Sequence, residues 1–90
     1  MLLRSRSDRI AALAALEDPL RRALFDFVAR SDTPVSRDTA AAALHVSRRI
    51  AAVHLDRLAA LGLLNVEYRR LHGRTGPGAG RPAKLYRRGD

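Results

Sequence analysis

Apolar residues in the first third of the chain recur at helical spacing. One stripe follows the i, i+4, i+7, i+8 rule of a buried helix face, and Asp18-Pro19 before it is a typical helix start. This stripe consists of Leu20, Leu24, Phe27 and Val28. An earlier helix is predicted from a cap at about Ser7 to Leu16, with Ile10, Leu13 and Ala14 on one side.

Two more helices are predicted on either side of a very short connection. Ser36 is suited to cap a helix that ends at Leu44, and only His45-Val46 follows before the next cap, Ser47. The helix after Ser47 continues to about Leu61, where Gly62 supplies a left-handed stop. A capped helix, a tight turn and a longer helix predict a helix-turn-helix.

The hydrophobic period changes from helical to alternating after Gly62. Leu64, Val66 and Tyr68 alternate with polar neighbours, which predicts a strand, and residues 83–88 predict a second strand after a glycine- and proline-rich turn over 72–82. Pro34-Val35 leaves room for one short extended segment. We therefore expect one α+β, mostly α domain over residues 1–90, a winged helix-turn-helix of about four helices and a two- or three-stranded β wing. The helix-turn-helix occupies about 36–62 and the wing about 63–88.

Composition and charge narrow the function classes. The chain has 17 Lys and Arg against 9 Asp and Glu, a net charge of +8, which indicates a polyanionic partner. It has no Cys, which excludes disulfides and thiolate metal sites, and its three His lack ligand spacing. We expect no metal, no cofactor and no enzymatic activity. No secretory or membrane-spanning stretch is visible, so we expect a cytoplasmic protein without a membrane partner.

A helical wheel divides the fourth predicted helix into two faces. The core face is predicted to hold Ile50, Ala51, His54, Leu55, Leu58 and Leu61. The opposite face is predicted to hold Arg48, Arg49, Ala52, Val53 and Asp56. Arginines can bind guanine or phosphate, and small apolar groups allow close approach and contact with thymine methyls. A merely solvated face is the alternative, and the capped helix and tight turn before it favour DNA contact. Arg57, at the border, is expected to pair with Asp56 or a phosphate.

The predicted wing is strongly basic. Residues 69–88 contain Arg69, Arg70, Arg74, Arg81, Lys84, Arg87 and Arg88 and no acidic residue. Such a hairpin can lie along the DNA backbone or enter the minor groove. Gly80-Arg81-Pro82 resembles the short core of an AT-hook. We favour phosphate contact. A turn whose charges only maintain solubility is the second alternative, and base-specific contact in the minor groove is the third.

The segment from Leu44-His45-Val46-Ser47-Arg48-Arg49 to Leu61-Gly62-Leu63-Leu64 closely resembles the winged helix-turn-helix of ArsR-type transcriptional regulators. Glu17-Asp18-Pro19-Leu20 resembles that family's opening helix, and residues 68–86 resemble the wing of actinobacterial, SufR-like members. The resemblance implies that Arg48, Arg49, Ala52 and Val53 face the major groove. The metal-sensing Cys pattern, the C-terminal effector domain and the dimerisation helix after the wing are missing. We expect a fragment of a longer regulator, or else a minimal regulator that dimerises through the first helix.

The expected function is sequence-specific binding of double-stranded DNA and regulation of transcription, in a bacterial, nucleoid-associated protein. Predicted DNA contacts are Ser36, Arg37, Ser47, Arg48, Arg49, Ala52, Val53, Arg57, Arg74, Arg81 and Lys84. A homodimer is expected, formed through the first helix or a missing C-terminal segment. Two alternatives stay open: an architectural nucleic-acid binder without sequence preference, and a winged-helix module for protein interaction.

Overall fold

The computed structural model describes residues 5–70 and 82–89. Its helices are α1 (Arg6–Ala15), α2 (Pro19–Arg30), α3 (Arg37–Leu44) and α4 (Arg48–Ala60). Its strands are β1 (Val35–Ser36), β2 (Leu64–Arg69) and β3 (Ala83–Arg88), which form an antiparallel sheet in the order β1-β3-β2. The expected mostly helical α+β fold, a helix-turn-helix followed by a β wing, is confirmed.

Each helix begins at a side-chain cap. Asp18, Ser36 and Ser47 accept hydrogen bonds from the backbone N–H three residues on, as the sequence predicted. The first helix starts two residues earlier than expected, because Ser5 and not Ser7 is its cap, with a 3.0 Å bond from the Asp8 N–H. This choice places the Asp8 carboxylate in the first turn, where the helix dipole favours a negative charge.

The helix-turn-helix angle depends on how α3 ends. His45 has φ 57°, a left-handed conformation, and its N–H and that of Val46 donate to Ala42 and Ala41 carbonyls. This pairing closes the last turn of the helix as a Schellman motif, in which glycine is the usual residue. The same arrangement ends α4, where Gly62 has φ 81° and the Leu63 N–H donates to the Leu58 carbonyl.

The core lies between the helices and the sheet. Its largest fully buried side chains are Leu24, Val28, Leu55, Leu58, Leu64 and Tyr86. Tyr86 lies on the central strand, where it pairs with Val35 of β1 and Val66 of β2. The predicted α2 stripe is confirmed, since Leu24 and Val28 are buried and Leu20 and Phe27 pack against the core.

Helix α1 turns its larger apolar residues away from this core. Ala12 and Ala15 are buried, whereas Ile10 is 56% and Leu13 67% exposed. The side that Ile10 and Leu13 share is therefore uncovered in the single chain.

Candidate nucleic-acid interface

The exposed face of α4 differs from the face that the helical wheel predicted. Ala52, expected to face DNA, is only 9% exposed, and Ile50, expected in the core, is 45% exposed. Both expectations are wrong, because α2, α3 and β2 all pack on α4 and together cover an arc rotated by about 60° from the predicted one. Val53 is 61% exposed and lies in the open arc, as expected.

Three arginines surround this open arc. Arg48, Arg49 and Arg57 are exposed on α4. Arg48 lies 3.5 Å from the Asp38 carboxylate in an ion pair whose two side chains are largely exposed, so water and salt weaken it. Within residues 5–70 and 82–89, Arg49 and Arg57 form no ion pair, and the expected alternative pairing of Arg57 with Asp56 is not observed.

A surface cavity of about 560 Å³ lies where the N-termini of α3 and α4 meet the wing. It brings together four of the predicted contacts, Ser36, Arg37, Arg48 and Lys84. Tyr68 and Asp38 also line it, together with Pro82 and Ala83. Tyr68 was expected only as a strand residue, because an alternating pattern does not indicate which side chains lie beside it. The cavity combines three cations and a phenol with one carboxylate.

The two serines among the predicted contacts have defined structural partners. The hydroxyl of Ser36 accepts from the Thr39 N–H and donates to the Thr39 hydroxyl. The hydroxyl of Ser47 accepts from the Ile50 N–H at 3.0 Å. Each side chain therefore stabilises the start of a helix whose remaining backbone N–H groups point outward, an arrangement suited to phosphate.

A carboxylate joins α4 to the wing. Asp56 accepts hydrogen bonds from the Lys84 ammonium at 2.8 Å and the Tyr86 hydroxyl at 2.5 Å. Lys84 also lies 5.6 Å from the centre of the Tyr86 ring. We call Asp56, Lys84 and Tyr86 the wing clasp. The wing clasp could not be predicted from the sequence, because 28 and 30 residues separate Asp56 from its partners.

The wing clasp changes the acidity of its members. Partial burial raises the pKa of Asp56. This effect is outweighed by the hydrogen bonds from Lys84 and Tyr86 and by the charges of Lys84 and Arg37, so the pKa of Asp56 lies below its ordinary value. Burial, and then the bond and charge of Asp56, raise the pKa of Tyr86 above its ordinary value. The clasp therefore joins a carboxylate and an ammonium to a neutral phenol at neutral pH, and Lys84, predicted to contact DNA, already has an anionic partner.

The opposite side of α4 is anchored to α1 and α2 by Arg21. Its guanidinium donates to His54 Nδ1 at 3.2 Å and to the Ala15 carbonyl at 3.3 Å. Asp18 is close by: the hydrogen bond from the Arg21 N–H is the main reason that the pKa of Asp18 is lowered. His54, which the helical wheel placed on the core face, is thus partly buried and has a hydrogen-bonding partner.

The described part of the wing is less positive than its sequence predicted. Glu67 of β2 pairs with Arg69 at 2.8 Å and with Arg87 at 3.6 Å. Arg74 and Arg81, both predicted contacts, lie outside the described residues, as does most of the AT-hook-like segment. In the described parts of the chain, no group of three or more His, Asp or Glu could hold a metal, and no helix is long and apolar enough to cross a membrane.

Comparison with solved structures identifies the fold. Neither a protein-family model nor a curated protein sequence matches this chain. Reduced HlyU from Vibrio cholerae N16961 is similar over 93% of this chain and 75% of its own, with a TM-score of 0.65 and 18% identity. Human N-acetylserotonin methyltransferase in complex with SAM is similar over 93% of this chain and 24% of its own, with a TM-score of 0.51 and 23% identity. The chain has the winged-helix fold of HlyU, and it also resembles about a quarter of a methyltransferase.

Proposed function

We propose that this chain binds double-stranded DNA in a sequence-specific manner and regulates transcription. The observation that carries the proposal is the set of exposed cations on and beside α4, namely Arg49 and Arg57 together with the cavity that Arg37, Arg48 and Lys84 line. HlyU, which shares the fold, is a winged-helix regulator of the ArsR/SmtB family. The net charge of +8 supports the same partner.

In the proposed complex, α4 enters the major groove and the cavity receives a backbone phosphate. Arg49 and Val53 point into the groove, and Arg37 and Arg48 bind phosphate beside the N-termini of α3 and α4. Arg57 is close enough to the open arc to bind a second phosphate. The Asp56 carboxylate reduces the share of Lys84 in phosphate binding, so Lys84 acts mainly to hold the wing in place. The predicted contacts of Arg74 and Arg81 stay part of this proposal.

We assign the exposed side of α1 to a homodimer. Ile10 and Leu13 would be covered by the same residues of a second copy, which places two recognition helices on one duplex and predicts an inverted repeat. Leu13→Glu should convert the dimer to a monomer in analytical ultracentrifugation. An unchanged sedimentation coefficient would exclude α1 as the contact.

Selection of bound duplexes from a random pool at about 150 mM salt tests the function, because weak nonspecific binding is suppressed there. Enrichment of a defined sequence supports a regulator, and binding without enrichment supports the architectural alternative. Absence of binding supports the interaction module. The selection measures binding alone, and we expect no catalysis by the chain itself.

The selected duplex then tests the interface. Arg49→Ala should cost about tenfold to a hundredfold in affinity and relax the preference at one base pair. Arg22→Ala is the matched control, since it removes another exposed arginine, whose partner, Asp26, lies on the same helix α2. Equal losses from the two variants would show that only total charge matters, and would contradict binding through α4.

A further inference from the structure

Two large apolar side chains remain exposed on α4 after its core contacts are made. Ile50 is 45% and Val53 61% exposed, and their i, i+3 spacing places them side by side on the helix. Arg49 and Arg57 flank them in the open arc. Single exposed apolar residues are common on protein surfaces, but a neighbouring pair enclosed by cations has a more specific chemistry.

The charge around this pair selects its partner. An apolar protein surface would have to bury the adjacent guanidinium groups at a large desolvation cost. The major groove of DNA instead offers phosphates and base acceptors for the arginines, and its principal apolar groups are the C5-methyls of thymine. We propose that Ile50 and Val53 read thymine methyl groups in the major groove. This inference rests on the proposed function and names the feature of the DNA that α4 recognises.

The helix geometry limits where the thymines lie. Residues three apart on a helix are separated by about 4.5 Å along its axis. Successive base pairs are about 3.4 Å apart, so the two side chains reach methyls on adjacent or next-adjacent base pairs. Ala52, the other apolar residue that the sequence assigned to this role, is buried and presents almost no surface.

Replacement of thymine by deoxyuridine tests the proposal, because it removes only the C5-methyl. In the selected duplex each thymine is replaced in turn, and the affinity of the intact chain is measured. Loss of a buried methyl should weaken binding about fourfold. We expect such losses at one or two positions within a half-site, and no loss at thymines in the flanks.

A cycle that combines protein and DNA changes assigns the contact. In the Val53→Ala or Ile50→Ala variant, the matching thymine and its deoxyuridine replacement should be bound with nearly equal affinity, in place of the difference of about fourfold. Ile10→Ala is the matched control, since Ile10 is also an exposed isoleucine, on α1. It can weaken dimeric binding as a whole, but the ratio of thymine to deoxyuridine affinity should keep the value of the unmodified chain.

The outcomes separate this inference from the proposed function. A selected site that tolerates deoxyuridine at every position, or that contains no thymine opposite α4, overturns the methyl contact and leaves sequence-specific binding intact. A penalty that persists in both alanine variants overturns the assignment to Ile50 and Val53. If no sequence is selected at all, both proposals fail together.

Discussion

We expect Asp56→Ala to cost more stability than Tyr86→Phe, although both substitutions break the same hydrogen bond. Tyr86→Phe removes the hydroxyl and leaves a half-exposed carboxylate that keeps Lys84 and regains water. The expected cost is about 1 kcal/mol, the usual net value of a hydrogen bond. Asp56→Ala leaves the hydroxyl of the buried Tyr86 without its partner, which costs about 1–3 kcal/mol, and also removes the Lys84 ion pair.

Helix propensity offsets a small part of this difference. Alanine is the better helix former by roughly 0.5 kcal/mol, so the net cost of Asp56→Ala is about 2 kcal/mol. In a domain of this size, 1 kcal/mol corresponds to about 4–8 °C in Tm. We therefore expect losses of about 4–8 °C for Tyr86→Phe and about 8–16 °C for Asp56→Ala.

Urea and thermal unfolding at pH 7, followed by circular dichroism, measure these costs. The double variant has no orphaned hydroxyl, so its cost should be smaller than the sum of the single costs by about 1 kcal/mol. Fully additive costs, or an Asp56→Ala cost no greater than that of Tyr86→Phe, would refute the reasoning from burial.

Three further predictions concern the described residues. Because the native pKa of Asp56 is depressed, its contribution is present above its ordinary pKa of 3.8 and is lost as the pH falls through the lower native value. The Tm difference between the unmodified chain and Asp56→Asn should therefore narrow below about pH 4, and a constant difference would contradict this. His45→Gly should stabilise by about 0.5–1 kcal/mol in urea unfolding, since it relieves a left-handed residue, and a lower midpoint would count against it. Arg21→Ala should cost about 1–2 kcal/mol in the same assay, against less than about 0.5 for the exposed Arg22→Ala, because only Arg21 joins three helices.

The local elements could be predicted from the sequence because their signals are local. Caps at Asp18, Ser36 and Ser47, together with the stop at Gly62, define the helices through groups a few residues apart. The left-handed turn at His45 has no such signal, because glycine is the residue that usually marks it. The sequence therefore indicated a tight turn without indicating which residue carries it.

The interface was harder to predict because it depends on long-range packing. The wheel separates apolar from polar residues on α4, but which arc is buried depends on where α2, α3 and β2 approach. Ile50 lies at one border of the predicted arc and Ala52 just beyond the other, and a rotation of about 60° exchanges their roles. The same limit applies to Asp56, whose partners are defined by the register of β3 against the rest of the sheet.

The two parts of the proposed interface are held by different forces, and this decides how each responds to salt. The angle between α3 and α4 depends mainly on apolar burial and a backbone turn, which salt hardly affects, since the exposed ion pair between Arg48 and Asp38 adds little. The position of the wing depends partly on the ion pair between Asp56 and Lys84, and phosphate attraction depends wholly on charge. Rising salt therefore weakens phosphate binding and the wing clasp together. The proposed contacts of Ile50 and Val53 with thymine methyls lose nothing, so rising salt should lower both affinities while the preference for the selected duplex over random DNA is largely retained.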